Sequence, residues 1–310
     1  MRLGVLDVGS NTVHLLVVDA YRGGHPTPTH SSKSVLRLAE NLTKDGRLSK
    51  AGEQSLVDAV ARAKKDARHQ GCDDLLAFAT SAVRDASNSS AVLARIKRET
   101  GIELAVLTGP EEARLTFLAV RRWYGWSAGR LLALDIGGGS LEIAVGVDEE
   151  PELVISLPLG AGRMAREFLR GDPPDKKALG QLCEHVETTL AKPAKEIAGI
   201  GPSDRIVATS KTFRSLARLT GAAPSSAGPR ASRHLTREGL SQLIGFISRI
   251  SSADLAELDG VSPTRSEQLL AGAVVAEVAM KCLGVGAVQI CPWALREGVI
   301  LRRLDWLEGV

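Results

Sequence analysis

The stretch Leu3-Gly4-Val5-Leu6-Asp7-Val8-Gly9-Ser10-Asn11-Thr12-Val13-His14-Leu15-Leu16-Val17-Val18 decides the fold. Two short apolar runs, Leu3–Leu6 and Val13–Val18, flank a polar bend with a glycine in it, and that pattern predicts a β-hairpin. The arrangement returns at Leu131–Val147, where the bend is Asp135-Ile136-Gly137-Gly138-Gly139-Ser140-Leu141-Glu142. Laid over the first hairpin, Asp135 falls on Asp7, Gly137 on Gly9, Ser140 on Thr12, Ile143 on Leu15 and Val145 on Val17. A repeat on this scale predicts two similar α/β domains, each opening on the same hairpin.

The surroundings fit that plan. Ser49 is placed to cap a helix with Leu56, Val60, Ala63 and Ala67 on one face and Gly71 as its stop. Leu75–Ala79 reads as a strand, Ser89–Thr100 as a helix and Ile102–Leu107 as a strand. Pro110 then opens a helix that reaches about Tyr124. The second half reads as strand Leu153–Leu157, helices Ala161–Leu169 and Lys176–Ala198, strand Arg205–Ala208, the turn Thr209-Ser210-Lys211-Thr212 and a helix to Leu219. His25–His30 and Ala222–Arg233 read as loops, the second mobile. Helices Thr236–Ile250 and Ser266–Cys282, strand Ala287–Ile290 and a helix from Leu295 finish the chain.

Composition sets limits. The 310 residues suit two ordinary domains. Hydrophobic residues at 44% and charged residues at 24% predict a packed core rather than disorder. Glycine is a tenth of the chain, 31 of 310, which predicts several close turns. A net charge of +3 is too small to argue for a polyanion partner, and no nucleic-acid partner is expected. No apolar run is long enough for a membrane span, and Asp7 interrupts the apolar start, so no membrane association or secretory signal is expected. The scattered cysteines Cys72, Cys183, Cys282 and Cys291 read as reduced thiols of a cytoplasmic protein.

Each bend offers a carboxylate, backbone N–H groups around glycine and small hydroxyl or amide side chains. Without Cβ atoms, successive N–H groups can converge on one anion. Asp135 and Glu142 supply hard oxygen ligands of the kind Mg²⁺ takes. One such bend alone is most simply a hairpin turn; two in register, both led by Asp, favour phosphate binding. His14 stands where the repeat has Glu142 and reads as a packed, hydrogen-bonded residue. Glu112, in a first helical turn, suits the helix dipole whatever else it does.

The paired hairpins resemble those of the actin-like ATPase superfamily. Within it the chain resembles the exopolyphosphatase/guanosine-pentaphosphate phosphohydrolase (Ppx/GppA) family, in its short two-domain form. The matching pieces, in family order, are Asp7–Thr12, Thr80-Ser81-Ala82-Val83-Arg84, Gly109-Pro110-Glu111-Glu112-Ala113-Arg114, Asp135–Glu142 and Leu295-Arg296-Glu297-Gly298-Val299. The resemblance implies two ribonuclease-H-like domains with a cleft between them, residues 1–118 closed by 297–310 and residues 119–296. It implies an exopolyphosphatase in which Glu112 orients and deprotonates the attacking water and Arg84 binds the terminal phosphate. Gly9, Ser10, Asn11, Thr12, Ser81, Gly137, Gly138, Gly139, Ser140, Ser210 and Lys211 then hold phosphates. Asp135 and Glu142, with Asp7, place Mg²⁺. Inorganic polyphosphate is the expected partner, guanosine penta- or tetraphosphate the alternative, and a homodimer follows from family analogy. A short chain should favour short polymers.

The family pattern at Thr209–Thr212 is Ala-Ser-Gly-Thr, so Lys211 stands where glycine is usual. It reads either as an added phosphate contact or as a solvated lysine. No P-loop motif occurs. Gly160-Ala161-Gly162-Arg163-Met164-Ala165 spells a dinucleotide fingerprint, but a helix stands where the acidic strand end belongs, so close packing or extra backbone donors explain it better. A superfamily kinase and a non-catalytic polyphosphate or alarmone sensor remain as other functions.

Overall fold

The computed structural model describes residues 1–43 and 45–307. The chain divides into two compact units, Met1–Leu115 with the segment from Leu295 onward, and Thr116–Ala294.

In unit 1 the elements are β1 (Arg2–Val8), β2 (Thr12–Asp19), β3 (His30–Val35), α1 (Lys50–His69), β4 (Asp74–Ala79), α2 (Ser81–Arg84), α3 (Ser89–Thr100), β5 (Ala105–Val106) and the start of α4 (Gly109–Tyr124). The sheet order is β3-β2-β1-β4-β5. β1 runs antiparallel to β2 and parallel to β4. The central strands are buried on both faces, which explains their near-continuous apolar sequence. Leu6, Val8, Val13 and Leu15 share one core with Leu56 and Val60 of α1 and Val92 and Ile96 of α3. Leu3, Val5, Leu16 and Val18 share another with Ile300 and Leu304 of the C-terminal helix. As expected, Ser49 caps α1, its side chain accepting from the Gly52 N–H at 3.1 Å.

Unit 2 repeats the design with β6 (Leu131–Ile136), β7 (Leu141–Gly146), β8 (Leu153–Leu157), α5 (Ala161–Phe168), α6 (Lys176–Ile200), β9 (Arg205–Thr209), α7 (Ser210–Leu219), β10 (His234–Thr236), α8 (Arg237–Ile247), α9 (Ser252–Ala256), α10 (Ser266–Cys282) and β11 (Ala287–Ile290). The C-terminal helix, α11, is Leu295–Asp305. Read from β8, the sheet runs β8-β7-β6-β9-β11, the order of unit 1, with β10 added antiparallel at the edge. α10 is buried almost all round and forms the middle of this core, as its apolar run Leu269–Met280, interrupted by Glu277, requires. The opposite face of the sheet packs on Phe117 and Val120 of α4. The predicted two-domain α/β architecture, with its duplicated hairpin, is the observed one.

Several local expectations shift. β3 was not expected, because His30-Ser-Ser-Lys-Ser-Val35 has no apolar run; it is a half-buried edge strand that needs only one covered face. β5 is two residues long where Ile102–Leu107 was expected. The segment Thr236–Ile250 divides, with Thr236 ending β10 and capping α8 through a 3.1 Å bond from the Gly239 N–H. The loop Ala222–Arg233 contains a tight helical turn at Ser225–Ala227 and wraps the Arg233 guanidinium. Among the described residues the four cysteines are free thiols, and no helix is long and apolar enough to cross a membrane.

Candidate active site

The candidate residues fall into two sets, one on each unit. In unit 1 the hairpin bend closes with a 3.0 Å bond from the Gly9 N–H to the Thr12 carbonyl. Ser10, buried in this bend, meets Ser81 at the head of α2, hydroxyl to hydroxyl, at 3.0 Å. The contact follows from the sheet: β4 lies beside β1, and the Thr80 N–H donates to the Val8 carbonyl at 3.1 Å. One helical turn beyond Ser81, Arg84 reaches the other candidate catalytic group. Its Nη1 donates to Oε1 of Glu112 and, at 3.0 Å, to the Leu107 carbonyl. Its Nε donates to Asp85 at 3.0 Å. Among the described residues nothing accepts from its Nη2. Burial works against the guanidinium charge, but the Glu112 and Asp85 carboxylates outweigh it, so its pKa lies above the usual arginine value.

The two adjacent glutamates of α4 have different roles. Glu111 accepts from the Thr108 N–H at 2.8 Å and from its hydroxyl at 2.7 Å, while the Glu111 N–H reaches back to the Thr108 hydroxyl at 3.3 Å. This is a capping box, and those bonds hold the Glu111 carboxyl below its ordinary pKa. Glu112 is buried, against the habit of a first-turn carboxylate, and turned to Arg84. Asp7 lies opposite His14 across the hairpin, and its Oδ2 is 3.8 Å from Nε of Arg296. His14 is packed as expected, its Nε2 2.8 Å from the Ser31 hydroxyl.

In unit 2 the equivalent bend closes with a 2.9 Å bond from the Gly137 N–H to the Ser140 carbonyl. Asp135 stands directly opposite Glu142, so the two carboxylates share one face of the sheet. Ser156 of β8 extends the row and donates to Glu142 Oε1 at 3.0 Å; Thr209 of β9 stands on the other side of Asp135. The Ala161 N–H donates to the Gly137 carbonyl at 3.0 Å and the Arg163 N–H to the Gly138 carbonyl at 2.9 Å. α5 thus holds the carbonyls of Gly137 and Gly138. Among the described residues none accepts from the N–H groups of Gly138, Gly139 and Ser140. Gly160 lies so close that a Cβ would stand 2.3 Å from the Ser140 nitrogen. The Gly160–Ala165 motif therefore buttresses the bend, and its donors serve the bend rather than a ligand.

At Thr209–Thr212 the left-handed backbone falls on Ser210, with φ of 88°, and not on Lys211. A non-glycine residue held there marks strain at a turn that presents polar groups. Among the described residues no group of three or more His, Cys, Asp or Glu gathers into a cage for a metal. Sequence reasoning had not placed Arg296 beside Asp7, Ser156 beside Glu142, or Thr108 in the capping box. The last was legible as Thr-x-x-Glu ahead of an apolar helix.

Residues 17–306 match the Ppx/GppA phosphatase family. Over 305 residues the chain is 62% identical to exopolyphosphatase 1 of Mycobacterium tuberculosis, covering 98% of this chain and 89% of that one. The guanosine-5'-triphosphate,3'-diphosphate pyrophosphatase of Aeromonas hydrophila is 26% identical over 295 residues, 95% of this chain and 58% of that protein. An exopolyphosphatase structure from Cytophaga hutchinsonii superposes with a TM-score of 0.88 at 25% identity, covering 100% of both chains. The chain belongs to the Ppx/GppA phosphatase family.

Proposed function

We propose that this protein is an exopolyphosphatase that releases orthophosphate from the end of linear inorganic polyphosphate. The observation that carries hydrolysis is the buried Glu112 carboxylate held against Arg84 beside the serine-bearing bend of unit 1. The name of the relatives at 62% identity supports the substrate.

In this scheme Arg84 keeps Nη2 for an oxygen of the terminal phosphate, while Glu112, Leu107 and Asp85 fix the rest of the guanidinium. Ser10, Asn11, Thr12 and Ser81 of unit 1 are neutral donors for phosphate, and within unit 2 the N–H groups of Gly138, Gly139 and Ser140 are donors of the same kind. Glu112 orients a water. The water oxygen bonds to the terminal phosphorus as the bridging P–O bond breaks, and the electron pair leaves with the shortened chain. The water's proton passes to Glu112 and then to solvent. A loose transition state asks little of a base, so positioning and charge supply most of the rate.

Asp135 and Glu142 fit a magnesium ion. Both are hard oxygen donors on one face, and Mg²⁺ commonly takes one or two carboxylates together with substrate oxygens and waters, so no larger protein cage is needed. Bound there, the ion would neutralise negative charge on the phosphates. Asp7, the third carboxylate candidate, belongs to unit 1, where it lies beside Arg296. The same groups would serve guanosine pentaphosphate, a reading favoured by the name of the 26%-identical relative.

The test is phosphate release from polyphosphates of defined length, guanosine pentaphosphate and ATP, with and without Mg²⁺. The proposal expects polyphosphate to be hydrolysed fastest and chelation to stop the reaction. Faster release from the pentaphosphate nucleotide would move the assignment there, and ATP-dependent transfer to a small acceptor would replace hydrolysis with kinase chemistry.

A further inference from the structure

The acidic row of unit 2 adjoins an apolar one. Two residues along each strand, on the same face and farther from the bend, Ser156 gives way to Val154, Glu142 to Ala144, Asp135 to Ala133 and Thr209 to Val207. These apolar residues share the core with Phe117 and Val120 of α4. Glu142 is only 5% exposed, so its carboxylate stands at the margin of a dry layer. There an uncompensated charge is costly and a polar contact is stronger than in water.

Ser156 interrupts a strand that is otherwise apolar, Leu153-Val154-Ile155-Ser156-Leu157, and its hydroxyl donates to Oε1 of Glu142 at 3.0 Å. The last torsion of a glutamate is broad and roughly two-fold, so a bond to one oxygen fixes a plane that the side chain alone leaves loose. The duplicated fold supplies an internal comparison. β3, β2 and β1 of unit 1 correspond to β8, β7 and β6, and the same row there reads Lys33, His14, Asp7. The exposed Lys33 takes the place of Ser156. His14 finds its hydroxyl on Ser31, which is not its cross-strand neighbour. A hydroxyl at this point of the edge strand therefore accompanies the carboxylate and is not a requirement of the fold.

We propose that Ser156 is a positioning residue for a divalent cation: it holds the Glu142 carboxylate in a fixed plane and so favours Mg²⁺ over Ca²⁺ at this site. The inference rests on the reading of Asp135 and Glu142 as the magnesium pair and deepens it. Mg²⁺ demands near-ideal octahedral geometry, whereas Ca²⁺ accepts flexible arrangements of carboxylates. A ligand already held by a hydrogen bond also has less freedom to lose when the ion binds. Loosening Glu142 should therefore weaken Mg²⁺ more than Ca²⁺.

The experiment measures ion binding by the whole chain without substrate. Electron paramagnetic resonance follows Mn²⁺, and displacement of Mn²⁺ reports Mg²⁺ and Ca²⁺, for the wild type, Ser156→Ala, Ser156→Thr and Glu142→Gln. Ser156→Ala should weaken Mn²⁺ and Mg²⁺ about tenfold, the lower end of the loss when a ligand's hydrogen-bond partner is removed, and Ca²⁺ by less. Ser156→Thr keeps the hydroxyl on a residue that strands favour and should retain wild-type affinities. Glu142→Gln should abolish binding. Equal weakening of Mg²⁺ and Ca²⁺ by Ser156→Ala is what a general loosening of the edge strand would give, and it would overturn the inference. So would wild-type affinities in Ser156→Ala, or a threonine variant as weak as the alanine one. A wild type that binds no Mn²⁺, or Glu142→Gln that binds it as the wild type does, would remove the magnesium reading of these carboxylates and the inference with it.

Discussion

Replacing Gly160 with alanine should disturb, from behind, the Gly137–Ser140 bend proposed to bind phosphate. The new methyl would stand 2.3 Å from the Gly139 carbonyl carbon and the Ser140 nitrogen, and 2.4 Å from the Gly139 nitrogen. Those distances fall an ångström or more short of the 3.4 Å at which ordinary contact begins, and every obstacle is backbone. No side chain can swing aside, so either the bend or the first turn of α5 must move by about an ångström. Overpacking of this kind costs about 1–3 kcal/mol of stability. A displacement of that size in a positioning element costs about a hundredfold in rate. Chemical denaturation and steady-state kinetics on polyphosphate measure the two effects. Gly180→Ala, on an open part of α6 where nothing lies within 4 Å, is the control and should gain about 0.5–1 kcal/mol by its better helix propensity. A Gly160→Ala protein as stable and as active as the wild type would refute the claim that α5 supports a phosphate-binding bend.

Other substitutions test separate parts of the account. Glu112→Gln keeps the volume and an acceptor for Arg84, so stability should fall by no more than about 1.5 kcal/mol, while kcat should fall about a thousandfold; a folded variant with near-normal turnover removes Glu112 from the chemistry. Thr108→Ala opens the capping box and should cost about 1 kcal/mol in denaturant unfolding. Glu111 is held below the ordinary glutamate pKa of 4.5, so its stabilisation is present above that value and disappears as pH falls through its folded pKa. The stability gap between wild type and Glu111→Gln should therefore close on acidification, and a gap that widens contradicts the capping role. Ser210→Gly relieves a left-handed backbone and should stabilise the protein by about 1 kcal/mol, read from its unfolding midpoint.

The duplicated hairpin was legible because β1, β2, β6 and β7 are buried on both faces, which leaves apolar runs around a polar bend. β3 and β10 were not, because an edge strand covers one face and its sequence stays polar. Glu112 and Arg84 entered as separate candidates, and only the fold shows them in contact: β5 and the head of α4 bring together residues 28 apart in sequence. Fully buried Arg121, whose guanidinium meets the carbonyls of Gly125, Gly129 and Gly146, has no sequence signature, since its partners are backbone. The Gly160 motif was legible as close packing, but its partner, the bend itself, was not. The left-handed backbone at Ser210 was not legible, because the glycine of the family pattern belongs to position 211.

The central claim is attack of water on the terminal phosphorus of a polyphosphate chain. Hydrolysis of tripolyphosphate in heavy-oxygen water, followed by mass analysis of both products, tests it directly. The account predicts one heavy oxygen in each released orthophosphate and none in the pyrophosphate. Label in the pyrophosphate would place the attack on the inner phosphorus, and absence of hydrolysis would contradict the account altogether.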